Sequence, residues 1–284
     1  MEYRSLESES FERIHQCFNE AFSDYTVQIQ LPLEKFQRNM KRNGVDLKVS
    51  IGLYDEEDLV GFILNGVGTW NNLPTVYDSG TGIIKEYRGK KYSKKMFEVL
   101  KQKVEREFSQ YLLEVIQTNV AAYTLYSHQG FTVERELLCF MVNKESLTKK
   151  AETDFDLHFE KIVSPDWSTV QTFWNSEPSW QNSADAVERM SDQLEKIGVF
   201  SGDGCIGYGI FGVQSGEIVQ MAVKRNMRKK GIGSQLLHQI SQETESPHLR
   251  IINVDKKDEE TVNFLMNNNF VNDINQYEMI LNLK

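Results

Sequence analysis

The chain is poor in the features that mark several protein classes. It has three cysteines, Cys17, Cys139 and Cys205, an odd number at wide spacing. That excludes a disulfide framework and a Cys-x-x-Cys metal site. Reduced core thiols are expected, with no metal, and with them a cytoplasmic address. No apolar run reaches the ~18 residues of a membrane-crossing helix, and residues 1–10 are polar and acidic, unlike a signal or transit peptide. Positive charge is in deficit, with 32 Lys and Arg against 41 Asp and Glu and a net charge of −9. Phosphate and membrane surfaces need clustered Lys and Arg, so neither nucleic acid nor a membrane is an expected partner. The P-loop signature is absent, and only two glycines fit where a dinucleotide fingerprint needs three. No Ser or Cys sits in a recognisable nucleophile motif.

What remains is an ordinary globular composition, 40% apolar and 26% charged over 284 residues, long enough for one large domain or two medium ones. An internal repeat decides for two. Ile83 aligns with Val223 and Arg88 with Arg228, each 140 residues apart, and Gly130-Phe131 aligns with Asn269-Phe270, 139 apart. The copies run over 1–147 and 155–284, joined by a charged stretch near 144–154. In the first copy, apolar spacing predicts helices over 11–22, 33–40, 94–108 and 121–128. Strands are predicted over 47–54, 59–67, 76–84, 111–116 and 137–142. The second copy repeats this with helices over 167–175, 184–196, 235–243 and 259–267, and strands over 198–200, 205–213, 218–223, 249–254 and 277–283. Strands mixed with helices give an α/β (α+β) class, a mixed central sheet flanked by helices in each domain.

The sharpest local signal is Arg228-Lys229-Lys230-Gly231-Ile232-Gly233-Ser234, between a predicted strand and a predicted helix. A helix N-terminus presents unpaired N–H groups and the positive end of the dipole, and glycine lets the backbone approach an anion. A solvated tight turn is the plain alternative. In the first copy, Asn119, Ala122, Leu125, Tyr126 and Gly130-Phe131 form a second spaced pattern around a short helix. Together, the strand followed by Arg-x-x-Gly-x-Gly opening a helix and the Asn-x-x-Ala-x-x-Leu-Tyr-x-x-x-Gly-Phe pattern resemble the GNAT superfamily of acyl-CoA-dependent N-acyltransferases. The resemblance covers nearly the whole chain, twice.

The resemblance implies that acetyl-CoA lays its pyrophosphate on the turn at Arg228, Lys229, Lys230, Gly231, Ile232, Gly233 and Ser234. Its pantetheine arm would run beside Met221, Ala222 and Val223, where two strands splay. The first-copy counterparts are Ile83, Ile84, Arg88, Gly89, Lys90 and Ser93, with Asn119 on the second pattern. The copies depart from the family pattern in opposite ways. The first has Lys91 where the motif has glycine; the second has Leu265 at the position of Tyr126 and Asn269 at that of Gly130.

The implied reaction is acetyl transfer to a primary amine of a small molecule or peptide, by direct attack in a ternary complex. It needs a base to free the amine and an acid for the leaving thiolate. By the resemblance Tyr126 is the acid. The glutamate that many relatives carry near the strand end falls at Gln220 and Gly80, so Asp78, two residues earlier on the same strand face, is the candidate base; Asp255 is the weaker one. Trp174, Pro178, Trp180 and Gln181 border the expected acceptor site, with Trp180 the candidate contact and helix packing the alternative. Phe22-Ser23-Asp24-Tyr25 and Trp70 hold comparable first-copy positions. The second copy is expected to bind the cofactor more tightly, and neither copy is favoured as the catalytic one. The competing class is a protein that holds or senses acyl-CoA without turnover.

Overall fold

A computed structural model describes residues 1–24, 30–202 and 204–284. Tyr25 of the first-copy aromatic cluster lies outside them. The chain divides into two compact units, Met1–Glu134 with Tyr277–Lys284, and Arg135–Gln276. These units differ from the expected copies, 1–147 and 155–284, at the last strand of each copy and over the stretch 144–154, which packs with the second unit. Among the described residues no helix is long and apolar enough to cross a membrane.

The first unit opens with β1 (Glu2–Ser5), α1 (Phe11–Ala21) and α2 (Leu33–Asn43), followed by β2 (Ile51–Asp55), β3 (Asp58–Trp70) and β4 (Leu73–Ile83). It continues with α3 (Tyr92–Val104), β5 (Gln110–Ile116) and α4 (Val120–His128). The strands lie in the order β1-β2-β3-β4-β5. Neighbours are antiparallel except β4 and β5, which are parallel. The chain end joins the free side of β5, where the Leu283 N–H donates to the Ser109 carbonyl at 2.9 Å. Ser10 starts α1 by accepting from the Arg13 N–H at 3.2 Å, and Ile14, Cys17 and Ala21, at helical spacing, bury its inner stripe. Burial pushes the Cys17 thiol up to about 12, so it is a packing group rather than a nucleophile. β3 is buried through nearly its whole middle, as expected of a strand covered on both faces. Gly66 is needed there, because a side chain would run into the Asn43 carbonyl at the end of α2.

The second unit begins within β6 (Thr132–Asn143). It contains β7 (His158–Lys161), α5 (Trp167–Val170), α6 (Ala184–Arg189), β8 (Glu195–Ser201), β9 (Gly204–Phe211) and β10 (Ile218–Val223). Then come α7 (Ile232–Glu243), β11 (His248–Asp255) and α8 (Glu259–Asn267), and β12 (Val271–Asn282) starts here and finishes in the first unit. β10-β9-β8-β7 form an antiparallel sheet, and β11 pairs antiparallel with β6.

The helix expected over 184–196 is shorter. Ser183 caps α6 by accepting from the Ala186 N–H at 3.2 Å, but Glu195 and Lys196 enter the β8 ladder opposite Phe211 and Ile210. Lys196 is buried there because its ammonium finds Ser191 Oγ at 2.8 Å. The helix over 167–175 is one α turn followed by a 3-10 turn over Gln171–Phe173. The four-residue strands β1 and β7 are too short to show a period in sequence.

Candidate active site

In the first unit β4 and β5 share a ladder from Thr75↔Gln110 to Asp78↔Leu113, and there it stops. Both strands continue, to Ile83 and Ile116, so they splay beyond Asp78. On its other side β4 is kinked against β3 by one extra residue: Asn65 opposes Asp78 and Leu64 opposes Gly80, leaving Ser79 as a bulge. Bulges re-aim side chains at such points. Asp78 therefore sits at the apex of the split, buried.

Its carboxylate accepts from the Gly80 N–H at 2.9 Å, from Thr81 Oγ1 at 2.8 Å and from Tyr126 Oη at 3.2 Å. Burial pushes its pKa up to about 6, and these three donors oppose the rise without cancelling it. Tyr126 is delivered by α4, and the spaced pattern around it has a local cause. Asn119 starts the helix by accepting from the Ala122 N–H at 3.1 Å. Gly130, at φ +96°, ends it and lets the Phe131 N–H reach the Tyr126 carbonyl at 3.1 Å. Phe97 and Phe131 meet the Tyr126 ring edge-on, with centroids 5.7 and 5.8 Å away. Asn119, Tyr126, Gly130 and Phe131 thus build one device that points a phenol at Asp78.

The turn before α3 takes a left-handed residue twice, Gly89 at φ +75° and Lys91 at φ +63°. The turn before α7 does the same with Lys229 at φ +58° and Gly231 at φ +80°. Each copy fills one left-handed position with glycine and the other with lysine. The arginines brace these turns from within. Arg88 donates to the Ile83 carbonyl at 2.8 Å, the Ala21 carbonyl at 2.5 Å and Asp24 at 2.9 Å. Arg228 donates to the Val223 carbonyl at 3.0 Å, Asn175 at 2.6 Å and Glu260 at 2.5 Å, and also to the Phe173 carbonyl. Both guanidinium groups are committed to fixing the strand end to the turn.

The remaining residues of the first turn are accessible. Lys90 is exposed with its ammonium 5.3 Å from the Tyr87 ring centre, Ser93 is half-buried, Ile83 lines the splayed strand and Ile84 packs into the core. A side chain placed at Gly89 would meet no atom within 4 Å, and Lys91, which holds the place of Gly231, is exposed, so both left-handed positions of this turn face open space. Open space, left-handed backbone and Lys90 and Lys91 suit a phosphate-bearing group such as coenzyme A.

The second unit has the same frame with different contents. β10 and β11 meet at the Glu217↔Arg250 bridge, and a cavity of about 690 Å³ opens beyond it. Met221, Ala222 and Val223 line it from β10, and Gly231, Gly233 and Ser234 from the turn. Ile232 is buried, Lys229 lies 3.8 Å from Glu260, and Lys230 sits over the Phe155 ring at 5.2 Å. Gln220 accepts from Tyr208 Oη at 2.7 Å and donates to the Asn182 carbonyl at 2.5 Å. The β10 bulge falls at Val219, so Ile218 holds the place that Asp78 holds in β4, 140 residues earlier. Leu265 holds that of Tyr126. Both are buried in one apolar cluster. The pairing of Ile218 with Asp78 was within reach of the sequence repeat, whose offset is also 140.

Trp180 is buried on a 3-10 turn, and Trp174 and Pro178 line the cavity instead. Asp255 lies 3.7 Å from Arg135, each largely buried, and His128 is exposed. Among the described residues no cluster of His, Cys, Asp and Glu could hold a metal.

The profile of the acetyltransferase (GNAT) family matches the chain twice, over residues 9–131 and 159–269. No curated protein matches the sequence. Solved structures share the fold at low identity. A GCN5-related N-acetyltransferase from Sphaerobacter thermophilus superposes with a TM-score of 0.72 at 11% identity, covering 100% of this chain and 96% of that one. A tandem GNAT protein from the clavulanic acid biosynthesis pathway gives 0.70 at 9%, covering 100% and 98%. A GCN5-related N-acetyltransferase from Anabaena variabilis gives 0.63 at 14%, covering 100% and 73%. With two family matches that span most of the sequence and two units that repeat one splayed-strand frame, the chain belongs to the acetyltransferase (GNAT) family, in tandem form.

Proposed function

We propose that this protein transfers an acetyl group from acetyl-CoA to a primary amine of a small molecule or peptide, and that the first unit does the chemistry. The observation that carries the proposal is the buried Tyr126–Asp78 hydrogen bond of 3.2 Å at the apex of the β4–β5 split. Two hydrocarbons, Ile218 and Leu265, hold the equivalent places in the second unit.

Coenzyme A would be held by the turn at Gly89, Lys90, Lys91 and Ser93 and by the free edge of β4 up to Ile83; when bound it supplies the acyl thioester. Arg88 and Asn119 act one step back, fixing the turn and α4. Asp78, with a pKa near 6, is mostly ionised at neutral pH yet still basic enough to take a proton from the amine as the C–N bond forms. Tyr126 gives its proton to the sulfur as the C–S bond breaks. Because the phenol already donates to Asp78, the proton that Asp78 gains can then return to the Tyr126 oxygen, and both groups end as they began. Gly80 and Thr81 hold the carboxylate in place throughout.

The test is turnover: purified protein with acetyl-CoA and a broad panel of primary amines, read by free thiol release and by the mass of the acetylated product. The proposal expects at least one amine to be acetylated. Tight coenzyme A binding with no turnover of any amine would favour the competing reading of a protein that binds or senses acyl-CoA.

A further inference from the structure

The second turn has the more complete glycine pattern, and the chain itself covers one side of it. The segment between the two copies lies across it. The Ala151 N–H donates to Ser234 Oγ at 3.0 Å, and Gln235 Nε2 donates to the Ala151 carbonyl at 2.6 Å. One turn along α7, His238 Nε2 lies 2.9 Å from the Thr148 carbonyl. Thr148 Oγ1 in turn donates to Asn268 at 2.8 Å, and Asn269 Nδ2 donates to the Ser146 carbonyl at 2.8 Å. Just downstream Phe155 lies under the Lys230 ammonium.

Between these anchors the Glu152 carbonyl comes so close to Gly231 that any side chain there would run into it. Thr148, Lys149 and Ala151 also wall the 690 Å³ cavity at this end. A carbonyl oxygen beside a left-handed turn at a helix N-terminus brings partial negative charge next to a place that favours an anion. The glycine that reads as a phosphate signal is packed against the chain's own backbone.

We infer that residues 148–153 are a built-in plug that closes the second unit's phosphate turn to coenzyme A. The protein then takes up one coenzyme A per chain, in the first unit, although it carries two family turns. The location of that one site rests on the function proposed above; the plug does not. A plug that must leave before the ligand enters lowers apparent affinity by the fraction of time the site is open, so loosening it restores a second site.

Calorimetric titration of the full chain with coenzyme A tests this. Ala151→Pro removes the N–H that Ser234 accepts. The pair Gln235→Ala and His238→Ala removes two other anchors from half-buried positions and serves if the proline is not tolerated. The wild type is expected to take up one equivalent, abolished by Gly89→Trp. Either loosened form is expected to take up a second, about tenfold or more tighter than any second uptake by the wild type, and abolished by Gly231→Trp. Two comparable equivalents in the wild type, one equivalent that Gly231→Trp rather than Gly89→Trp removes, or no second equivalent in either loosened form would overturn the plug. No uptake by the wild type, with one equivalent in the loosened forms lost on Gly231→Trp, would uphold the plug and overturn the first-unit reading. No uptake by any form would overturn both.

Discussion

The two units start from one frame and fill it in opposite ways. In each, a bulge precedes the strand end, an arginine ties that end to a turn, and the turn uses two left-handed residues. The first unit sets Asp78 and Tyr126 into the frame and leaves the turn open. The second sets Ile218 and Leu265 there and lays residues 148–153 over the turn. The backbone frame is set by packing and hydrogen bonds that both copies retain. The chemistry is a thin layer of side chains on top of it, and fold similarity carries no information about that layer.

The largest expected effect breaks the comparison at its polar pair. Asp78→Asn and Tyr126→Phe should each lower kcat by roughly a hundredfold or more, the usual range for a lost proton-transfer group. Gln220→Ala and Asp255→Asn in the second unit should change kcat by less than about threefold, since neither is given a chemical role. Steady-state kinetics on the four variants with the best amine of the panel decide it. Equal losses in both units would abolish the distinction.

The burial of Asp78 makes a prediction for stability, with the opposite sign from that of a salt-bridged carboxylate. Its folded pKa, about 6, lies above the ordinary 3.8. Its contribution is therefore fully present below pH ~4 and is lost as pH rises through about 6, by roughly 3 kcal/mol for a shift of about two units. Denaturant unfolding of wild type and Asp78→Asn across this window should show the wild type losing ground to the variant as pH rises. A constant gap would contradict the assigned burial.

Smaller effects sharpen the comparison of the turns. Gly231→Ala must distort a left-handed residue and also push the Glu152 carbonyl aside, whereas Gly89→Ala meets only the left-handed strain. The first should cost roughly 2–3 kcal/mol and the second about 1 kcal/mol. The smallest change is a gain: Lys91→Gly relieves a left-handed lysine at φ +63° and should stabilise the chain by a few tenths to about 1 kcal/mol. Thermal unfolding of the three variants reads all three values, and equal costs at Gly89 and Gly231 would argue against the plug.

Much of this was legible in the sequence, because it lives in periodicity and local chemistry. The 140-residue offset showed the duplication, and the Asn119-to-Phe131 spacing marked Tyr126, since capping and helix-end chemistry are written within one turn of the residues that use them. The same offset pairs Asp78 with Ile218. Other features come from tertiary contact and leave no period. Nothing local says that 148–153 will fold back over Gly231, and a glycine admits a phosphate and a carbonyl oxygen alike. For the same reason the intact-looking second turn pointed to tighter cofactor binding there, an expectation that the plug reverses in our proposal. Trp174 and Trp180 have the same composition signal, yet only packing puts one on the cavity and the other in the core.

The most direct test of the central claim, that Asp78 in the first unit accepts the amine's proton, is the pH profile of kcat under saturating acetyl-CoA and amine. At saturation the profile reports groups in the complex rather than the free amine. Wild-type kcat is expected to climb about tenfold per pH unit at the acid end, to bend at the pKa that Asp78 has in the complex and to level above it. The residual activity of Asp78→Asn should be free of that bend. A wild-type profile with no acid-side bend, or a bend that survives unchanged in Asp78→Asn, would contradict the claim.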